Sequence, residues 1–458
     1  MAEQKPNIIF MMADAWRPDY LSAAGHPLVK TPHMDALVEE GVMCDRSYCA
    51  AAQCAPSRTS FVTGLYPHTH GVLFNHIEMP DCHKTMGHYF SRAGYKTAWI
   101  GKGHNYPPRV DYGFDVLKLS DGGNTPIWDD DYFLWLHDQG VSNDAIQQLW
   151  DDVWNFHQTP FGQYRRNDHY MSPVPEDQVM TAWITWESRK FIEESVSKDE
   201  PFCVFASHHA PQNHDDLPEP YYSMYDPKDV PEPVNGKLTP KLARIIASYA
   251  GKVSMLDKHV GDLVETLKEQ GVMDNTIIVL TADHACFLGE SGMQNKMWTR
   301  EYDSRIPLIV WNPKRFAQGM RTDAFISNID VLPTMLDAIG EPIPEAIQGI
   351  SQLDVLKGQK DTIREVLLCE SGEAGKQRKG VWHGDWKLLY RTGVPKIEMY
   401  NLRKDPYELN DLGEDPEFRK KRDELIHQMF LEYVTTERYP NPMPEIEVKR
   451  QAGWLGRV

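Results

Sequence analysis

The stretch Pro6-Asn7-Ile8-Ile9-Phe10-Met11-Met12-Ala13-Asp14 places a carboxylate directly after a run of apolar residues. A continuous apolar run indicates a strand that is buried on both faces, because a half-exposed strand would alternate between apolar and polar residues. Asp14 lies where this strand would end. The segment therefore predicts a central parallel strand with an acidic group at its carboxyl end.

Further apolar runs alternate with segments of helical periodicity. The predicted strands are Tyr95–Ile100, Pro201–Ala206, Asn275–Thr281 and Ile306–Trp311, and the predicted helices are His33–Gly41, Leu242–Gln270 and Asp330–Ile339. This alternation indicates an α/β fold, with a large, mostly parallel sheet between layers of helices. Functional residues in such sheets lie at the carboxyl ends of the strands. That rule selects Asp14, Lys102, His104, the segment after Ser207, and Asp283-His284.

The sequence changes in character after about residue 360. We expect a catalytic unit over residues 1–360 and a small α+β subdomain with a tail over 361–458. Short antiparallel strands are predicted near residues 386–390 and 397–400, and a charged helix over 416–436. Residues 105–200 form an apparent insertion that is rich in Trp and poor in strand patterns. A lid over a pocket and an insertion packed on itself explain that composition equally well.

Composition excludes several classes of protein. The 458 residues include 48 Lys and Arg against 66 Asp and Glu, for a formal net charge of −18, which disfavours a nucleic-acid partner. Seven cysteines at irregular spacing argue against a disulfide framework. No apolar run reaches the roughly 18 residues of a membrane span. We therefore expect a cytoplasmic protein without a membrane partner, and the tail around Trp454 leaves a homo-oligomer open.

The segment Cys54-Ala55-Pro56-Ser57-Arg58 is followed by small residues and Thr63-Gly64. It resembles the signature of the type I sulfatase family. Other family motifs occur in the same order, so the resemblance covers nearly the whole chain apart from residues 105–200. These motifs are Pro6-Asn7-Ile8 with Asp14, Thr31-Pro32, Gly64-x-Tyr66-Pro67, Gly101-Lys102-x-His104, Thr281-x-Asp283-His284, Arg305-x-Pro307-Leu308 and Tyr400-Asn401-Leu402 with Asp405-Pro406.

The resemblance implies an alkaline-phosphatase-like fold and hydrolysis of a small-molecule sulfate ester. In this family a formylglycine-generating or equivalent maturation enzyme oxidises the signature cysteine, here Cys54, to an aldehyde. Sulfate monoesters are poor electrophiles because their anionic oxygens repel nucleophiles, so catalysis needs cations and a metal. The hydrated aldehyde offers one hydroxyl to attack sulfur. Its second hydroxyl then allows the adduct to collapse and release sulfate.

The resemblance also implies that Asp14, Asp283, His284 and the modified Cys54 hold one divalent metal ion, Ca²⁺ or Mn²⁺. Many relatives have two adjacent Asp residues at the first strand and Asp-Asn at the later one. This chain has Asp14-Ala15 and Asp283-His284. The exchange of an oxygen ligand for an imidazole favours Mn²⁺. The same pattern resembles the choline sulfatase and phosphonate monoester hydrolase branches.

Cationic residues complete the predicted site. Arg58 would fix the aldehyde hydrate, while Lys102 and His104 would bind sulfate oxygens. Lys296 resembles the family lysine at the leaving oxygen. His214 is the candidate general acid, alone or with Lys296, and His209 is the alternative because the histidine spacing departs from the usual one.

Asn75 resembles the asparagine that contacts the anion in the single-Asp branches, although a turn residue is nearly as good an explanation. Hydrolysis of a phosphonate monoester or phosphodiester is the competing function. Lys102 and His104 favour sulfate, whereas Asp14-Ala15 and His284 favour the alternative. A non-catalytic binding protein on this scaffold would have lost Cys54, Lys296 or Asp283, and all three are present.

Overall fold

The computed structural model describes residues 5–109, 111–121, 125–151, 171–212, 217–372, 375–393 and 396–436. Its strands are β1 (Asn7–Asp14), β2 (Val42–Cys44), β3 (Ser47–Tyr48), β4 (Lys96–Gly101), β5 (Val116–Leu119), β6 (Phe202–Pro211), β7 (Thr276–Ala282), β8 (Phe287–Leu288), β9 (Gln294–Asn295), β10 (Leu308–Trp311), β11 (Met320–Thr322), β12 (Ile326–Ser327), β13 (Val366–Ser371), β14 (Arg378–His383), β15 (Trp386–Arg391) and β16 (Lys396–Asn401).

The helices lie between these strands. They are α1 (Pro32–Glu40), α2 (Cys54–Thr63), α3 (Pro67–His70), α4 (Met86–Arg92), α5 (Asp131–Asp138), α6 (Asn143–Leu149), α7 (Met180–Ser197), α8 (Pro240–Glu269), α9 (Glu301–Ser304), α10 (Val331–Ala338), α11 (Leu353–Leu356) and α12 (Arg419–Thr436). Within the described part of the chain, none of them has the length and apolar character of a membrane span.

The main sheet has eight strands in the order β11-β2-β10-β7-β1-β6-β4-β5. Strand β1 pairs in parallel with β6 and β7, and all residues of these three strands are buried. The predicted α/β fold with a mostly parallel sheet is confirmed. Strand β10 is the exception, because it runs antiparallel to both β7 and β2.

Helices cover both faces of this sheet, and alternate residues of β1 point into two separate cores. Ile9 and Met11 pack with side chains of α1, α7 and α8, whereas Ile8, Phe10 and Met12 pack with α2, α4 and α10. A strand with apolar neighbours on both faces needs an uninterrupted apolar sequence. This explains why β1 and β7 are readily recognised in the sequence.

Residues 105–200 are less separate from the sheet than their sequence suggested. They contribute the edge strand β5, which pairs with β4, and the long helix α7, which packs on β4 and β6. Trp183 of α7 is fully buried in the core. Strand β5 is too short and too weakly apolar for a strand pattern to be visible.

The C-terminal region contains the antiparallel sheet β13-β14-β15-β16 with α12 packed against it. Both predicted strands and the predicted helix are present. Leu368, Val381, Leu388, Met399 and Leu425 form its core, which also includes Ala50 and Tyr66 of the main body. The proposed division at residue 360 stays a prediction, because this small core is shared between the two parts.

Candidate active site

The carboxyl ends of β1 and β7 bring the predicted acidic residues together. Asp14 is the last residue of β1, and Asp283 and His284 directly follow β7, whose Ala282 is in register with Ala13. All three side chains are fully buried. Ligand atoms of Asp14, Asp283, His284 and Cys54 lie within 4.8 Å of one another, and no second group of this kind occurs among the described residues.

Cys54 is the first residue of α2, a helix that is buried along its whole length. Small side chains allow this burial, and the helix ends at Gly64, whose φ of 68° suits glycine. The Cys54 Sγ atom lies 3.2 Å from His284 Nε2 and 2.7 Å from Lys296 Nζ. Burial and Asp14 raise the pKa of the thiol, but Lys296, Lys102 and His284 lower it by more. The pKa of Cys54 is therefore below its ordinary value, at about 6.

Arg58 follows Cys54 by one helical turn and contacts both carboxylates. Its Nε donates to Asp283 Oδ2 at 3.0 Å, and its Nη2 donates to Asp14 Oδ2 at 3.1 Å. Its Nη1 donates to Ser207 Oγ at 2.5 Å. Although burial lowers the pKa of Arg58, Asp283 and Asp14 raise it above its ordinary value. Arg58 therefore joins β1, β6 and β7 beneath the nucleophile.

Two lysines approach the same centre from different loops. Lys102, directly after β4, donates to Asp14 Oδ2 and to Gln212 Oε1, the latter at 3.2 Å. Lys296 Nζ lies 2.8 Å from His284 Nε2 and 3.8 Å from Asp14 Oδ1. Burial raises the pKa of Asp14, but Lys102, Lys296 and Arg58 bring it well below its usual value. Asp14 is thus a charged carboxylate among cations.

Asn75 and His104 lie close to this centre. The Asn75 Oδ1 atom accepts a hydrogen bond from Ala55 N at 3.1 Å, next to the nucleophile. His104 has a left-handed backbone with φ of 53°, and its N–H donates to Asp121 Oδ1 at 2.5 Å. Burial and Lys102 lower the pKa of His104 well below its usual value. An imidazole in this environment is neutral at pH 7.

Of the two candidate general acids, His209 and His214, the structure describes only the first. His209 is buried near Lys102, and its Nε2 lies 2.9 Å from Ser120 O. His214 lies outside the described residues, which omit 213–216. The choice between these histidines therefore stays a prediction.

Some contributing residues were not identified from the sequence. Ser57 Oγ donates to Asp283 O, and Asn328 Nδ2 donates to Ser57 Oγ at 3.0 Å. Asp121 binds the backbone N–H groups of both Gly103 and His104. Ser57 is part of the signature and could have been inferred, whereas Asp121 follows a strand that the sequence pattern does not reveal.

The donor set fits a divalent metal ion. Two carboxylates and an imidazole converge in a buried position, and such ligands suit a transition metal. Burial and the adjacent Asp14 raise the pKa of Asp283, so negative charge is crowded between these two residues. A dication bound between them would relieve that repulsion.

Comparison with known proteins agrees with this arrangement. Residues 6–341 match the family described as Sulfatase, and residues 289–434 match the C-terminal part of N-sulphoglucosamine sulphohydrolase. The chain belongs to the sulfatase family. The family match covers most of the chain and includes every residue proposed above for the active site.

Relatives of this sulfatase include a member of one predicted branch, and a member of the other branch shares its fold. An arylsulfatase of Clostridium perfringens is 28% identical, over 92% of this chain and 93% of the relative. A choline-sulfatase of Rhizobium meliloti is 26% identical, over 91% of this chain and 84% of the relative. The phosphonate monoester hydrolase of Agrobacterium radiobacter has the same fold, with a TM-score of 0.80, 23% identity and coverage of 94% and 96%.

Proposed function

We propose that this sulfatase cleaves a sulfate monoester by means of a formylglycine made from Cys54 and one divalent metal ion. Asp14, Asp283, His284 and the side chain at position 54 would hold the ion. One observation carries the proposal: the signature cysteine, two carboxylates and an imidazole converge in a buried cluster with the ligand atoms within 4.8 Å of one another.

The formylglycine and the metal ion would supply the nucleophile and the electrophilic activation. A formylglycine would supply a hydrated aldehyde as nucleophile, and the metal ion would polarise the bound sulfate. Arg58 orients the two carboxylates, since its guanidinium contacts both. Lys102 and His104 would bind sulfate oxygens. Asn75 uses its carbonyl oxygen on Ala55 N, so its amide N–H groups would face the anion.

Lys296 would stabilise the departing oxygen. Burial lowers the pKa of Lys296, but Cys54, Asp14 and Asp283 raise it above its ordinary value, so the ammonium stays charged. A charged donor beside the nucleophile can neutralise an alkoxide as its bond to sulfur breaks. A general acid, His209 or His214, would then protonate the alcohol or act together with Lys296.

The identity of the metal is a further part of the proposal. His284 in place of an oxygen ligand favours Mn²⁺, while the paired carboxylates remain compatible with Ca²⁺. Metal analysis of the purified protein, followed by chelation and addition of either ion, tests this. We expect Mn²⁺ to restore more activity than Ca²⁺, and the reverse would show that the oxygen ligands dominate.

Hydrolysis of phosphonate monoesters or phosphodiesters is the second candidate. The Asp14-Ala15 pattern and His284 favour it, as does the shared fold with a phosphonate monoester hydrolase. Lys102 and His104 favour sulfate. Maturation of Cys54 by a formylglycine-generating or equivalent enzyme belongs to either function. A cytoplasmic location and a homo-oligomer stay predictions.

Two measurements test the proposed function. Mass analysis of the peptide containing Cys54 should show that the residue has lost its sulfur. Parallel assays with an aryl sulfate and an aryl phosphonate, with and without chelator, should show faster and chelator-sensitive cleavage of the sulfate. An unmodified Cys54 in fully active protein would refute the nucleophile, and faster cleavage of the phosphonate would favour the second candidate.

A further inference from the structure

The loop that carries Lys296, here called the Lys296 loop (residues 293–300), has an unusual backbone. Asn295, Met297 and Thr299 have φ values of 65°, 78° and 59°. This left-handed region disfavours side chains with a Cβ, and β-branched Thr most of all. Such a residue is strained and persists only where surrounding contacts enforce its conformation. The loop must therefore be held by its neighbours.

Asp303 holds the second half of this loop. Its Oδ2 accepts hydrogen bonds from Trp298 N at 2.6 Å and Thr299 N at 3.2 Å, and its Oδ1 accepts one from Arg300 N at 2.6 Å. Asp303 is fully buried, so these bonds are shielded from water. They fix residues 298–300, and the Trp298 N–H belongs to the Met297–Trp298 peptide, so Asp303 holds the N–H side of this peptide while its carbonyl, Met297 O, needs a different donor.

The C-terminal sheet contacts the part of the loop nearest to Lys296. Arg378, the first residue of β14, donates from Nη1 to Met297 O at 2.8 Å, and its guanidinium lies 4.7 Å from the ring centroid of Trp298. On the opposite side, Met297 N donates to Ala52 O at 3.2 Å, two residues before Cys54. Met297 is thus bound between the nucleophile segment and β14.

Close packing of β14 on the loop supports the same contact. A Cβ placed on Gly380 would lie 2.9 Å from Thr299 Cγ2, closer than real Cβ contacts allow. Glycine at this position therefore lets the strand reach the loop. Burial and Arg391 lower the pKa of Arg378, so its charge is not favoured by its surroundings. What it gains there is the bond to Met297 O and the stacking on Trp298.

We propose that Arg378 is a positioning residue for Lys296. Arg378 binds the carbonyl oxygen of Met297, the residue after Lys296, and so fixes the left-handed backbone of Met297. This keeps Lys296 Nζ 2.7 Å from Cys54 Sγ. This inference rests on the proposed role of Lys296 at the leaving oxygen. It assigns to the C-terminal subdomain an indirect part in leaving-group stabilisation, because Arg378 acts through the backbone of the Lys296 loop.

The test compares aryl sulfates whose phenols have increasing pKa values. We would measure kcat/KM for the full-length protein and for Arg378→Met, Arg378→Lys and Lys296→Ala. Arg403→Met is the matched control, since Arg403 lies in the same subdomain, is 80% exposed and contacts Asp385 at 3.5 Å. Cys54 conversion and thermal unfolding would be recorded for every variant.

Arg378→Met should lose about 10-fold on nitrophenyl sulfate and about 100-fold on esters of poor leaving groups, because misplacement of a positioned group costs about this much. Its dependence on the pKa of the phenol should steepen, as for Lys296→Ala. Arg378→Lys should recover part of the loss, since an ammonium can donate to Met297 O but cannot stack in the same way. Arg403→Met should stay within about 2-fold of the parent.

Two results would overturn the inference. An equal loss on every ester would show that Arg378 supports the fold or the anion site and does not position Lys296. An unchanged profile would show that Met297 needs no help from β14. Should Arg378→Met fail to fold, the profile of Arg378→Lys decides in the same way. A flat profile for Lys296→Ala would instead remove the proposed role of Lys296 itself, and the inference with it.

Discussion

Two buried groups of charged residues differ in how their charges are matched. Apart from the Cys54 thiol, which the proposed conversion to formylglycine would remove, the active-site cluster comprises Arg58, Lys102, Lys296, Asp14 and Asp283, so three cations face two carboxylates. Arg58 and Lys102 converge on Asp14 Oδ2, while Lys296 lies near Asp14 Oδ1. An excess of positive charge away from water is costly unless an anion binds. This cluster is suited to receiving one.

The interface cluster lies between the main body and the C-terminal sheet. It comprises Arg300, Lys387, Arg391, Glu301, Glu398 and Glu408, so three cations face three carboxyl groups. Lys387 contacts Glu408 at 2.7 Å and Glu301 at 3.3 Å, and Arg300 contacts Glu398. Burial raises the pKa of Glu408, and nearby Glu301 raises it further against the effect of Lys387.

The interface cluster also makes hydrogen bonds to neighbouring groups of the protein. Glu301 accepts hydrogen bonds from Trp382 Nε1 at 2.8 Å and from Tyr48 OH at 2.9 Å, and Glu408 accepts one from Glu301 N at 2.8 Å. A cluster whose cations and carboxyl groups match in number stabilises a structure, whereas one with surplus cations can bind a ligand. Burial of charged groups alone therefore does not identify a functional site. The difference between the numbers of buried cations and carboxylates does.

Removal of the nucleophile should have the largest effect on activity. Cys54→Ala removes the reacting group and little volume, so turnover should fall at least about 10⁴-fold while the protein remains folded. Steady-state kinetics and circular dichroism check this. Cys82→Ala is the control, because Cys82 is a free, exposed cysteine, and it should keep full activity. Substantial turnover by Cys54→Ala would show that the active-site cluster acts without this residue.

Lys296→Ala should have the next largest effect. Loss of the cation at the departing oxygen should lower kcat/KM by about 10²–10³-fold for esters of poor leaving groups and less for nitrophenyl sulfate. Kinetics on a series of aryl sulfates measures the difference. Lys314→Ala serves as control, since Lys314 is exposed and pairs with Asp274 at the surface. Equal losses across the series would mean that Lys296 only binds the anion.

Lys387→Met should affect stability more than chemistry. The change leaves Glu301 and Glu408 buried without their shared cation, and breaking such a buried pair costs about 3–5 kcal/mol. Urea unfolding should show this loss, while kcat of the folded enzyme should stay within about 10-fold. The control Lys396→Met removes a half-exposed lysine of β16 that pairs with Asp411. A large loss of kcat at unchanged stability would contradict the distinction between the clusters.

Lys421→Ala should have the smallest effect. Lys421 pairs with Glu424 at 2.7 Å on the partly exposed face of α12, where salt bridges contribute about 0.2–1 kcal/mol. Unfolding at low and high salt should give a small difference that shrinks as salt is added, because exposed pairs are screened. A loss as large as that of Lys387→Met would show that exposure does not govern the contribution of these ion pairs.

The elements predicted most reliably were those with the most uniform environment. Strands β1 and β7 and helix α8 were recognised because continuous burial or a long amphipathic repeat leaves a clear sequence pattern. Strand β5 was missed because an edge strand of four residues shows no such pattern. The direction of β10 was also not predictable, since strand direction depends on which neighbour it pairs with.

The sequence by itself determined the chemistry: the signature around Cys54 and the carboxylates at the ends of apolar runs require particular residue types at short spacings. Only the tertiary structure decided that Arg58 contacts both carboxylates and that Lys296, 242 residues after Cys54, reaches its sulfur. It also decided that Arg378 of another sheet binds the loop beside it. Such contacts join segments that are far apart in the sequence. They depend on the path of the backbone and on burial in the folded protein, and no local stretch of the chain determines either.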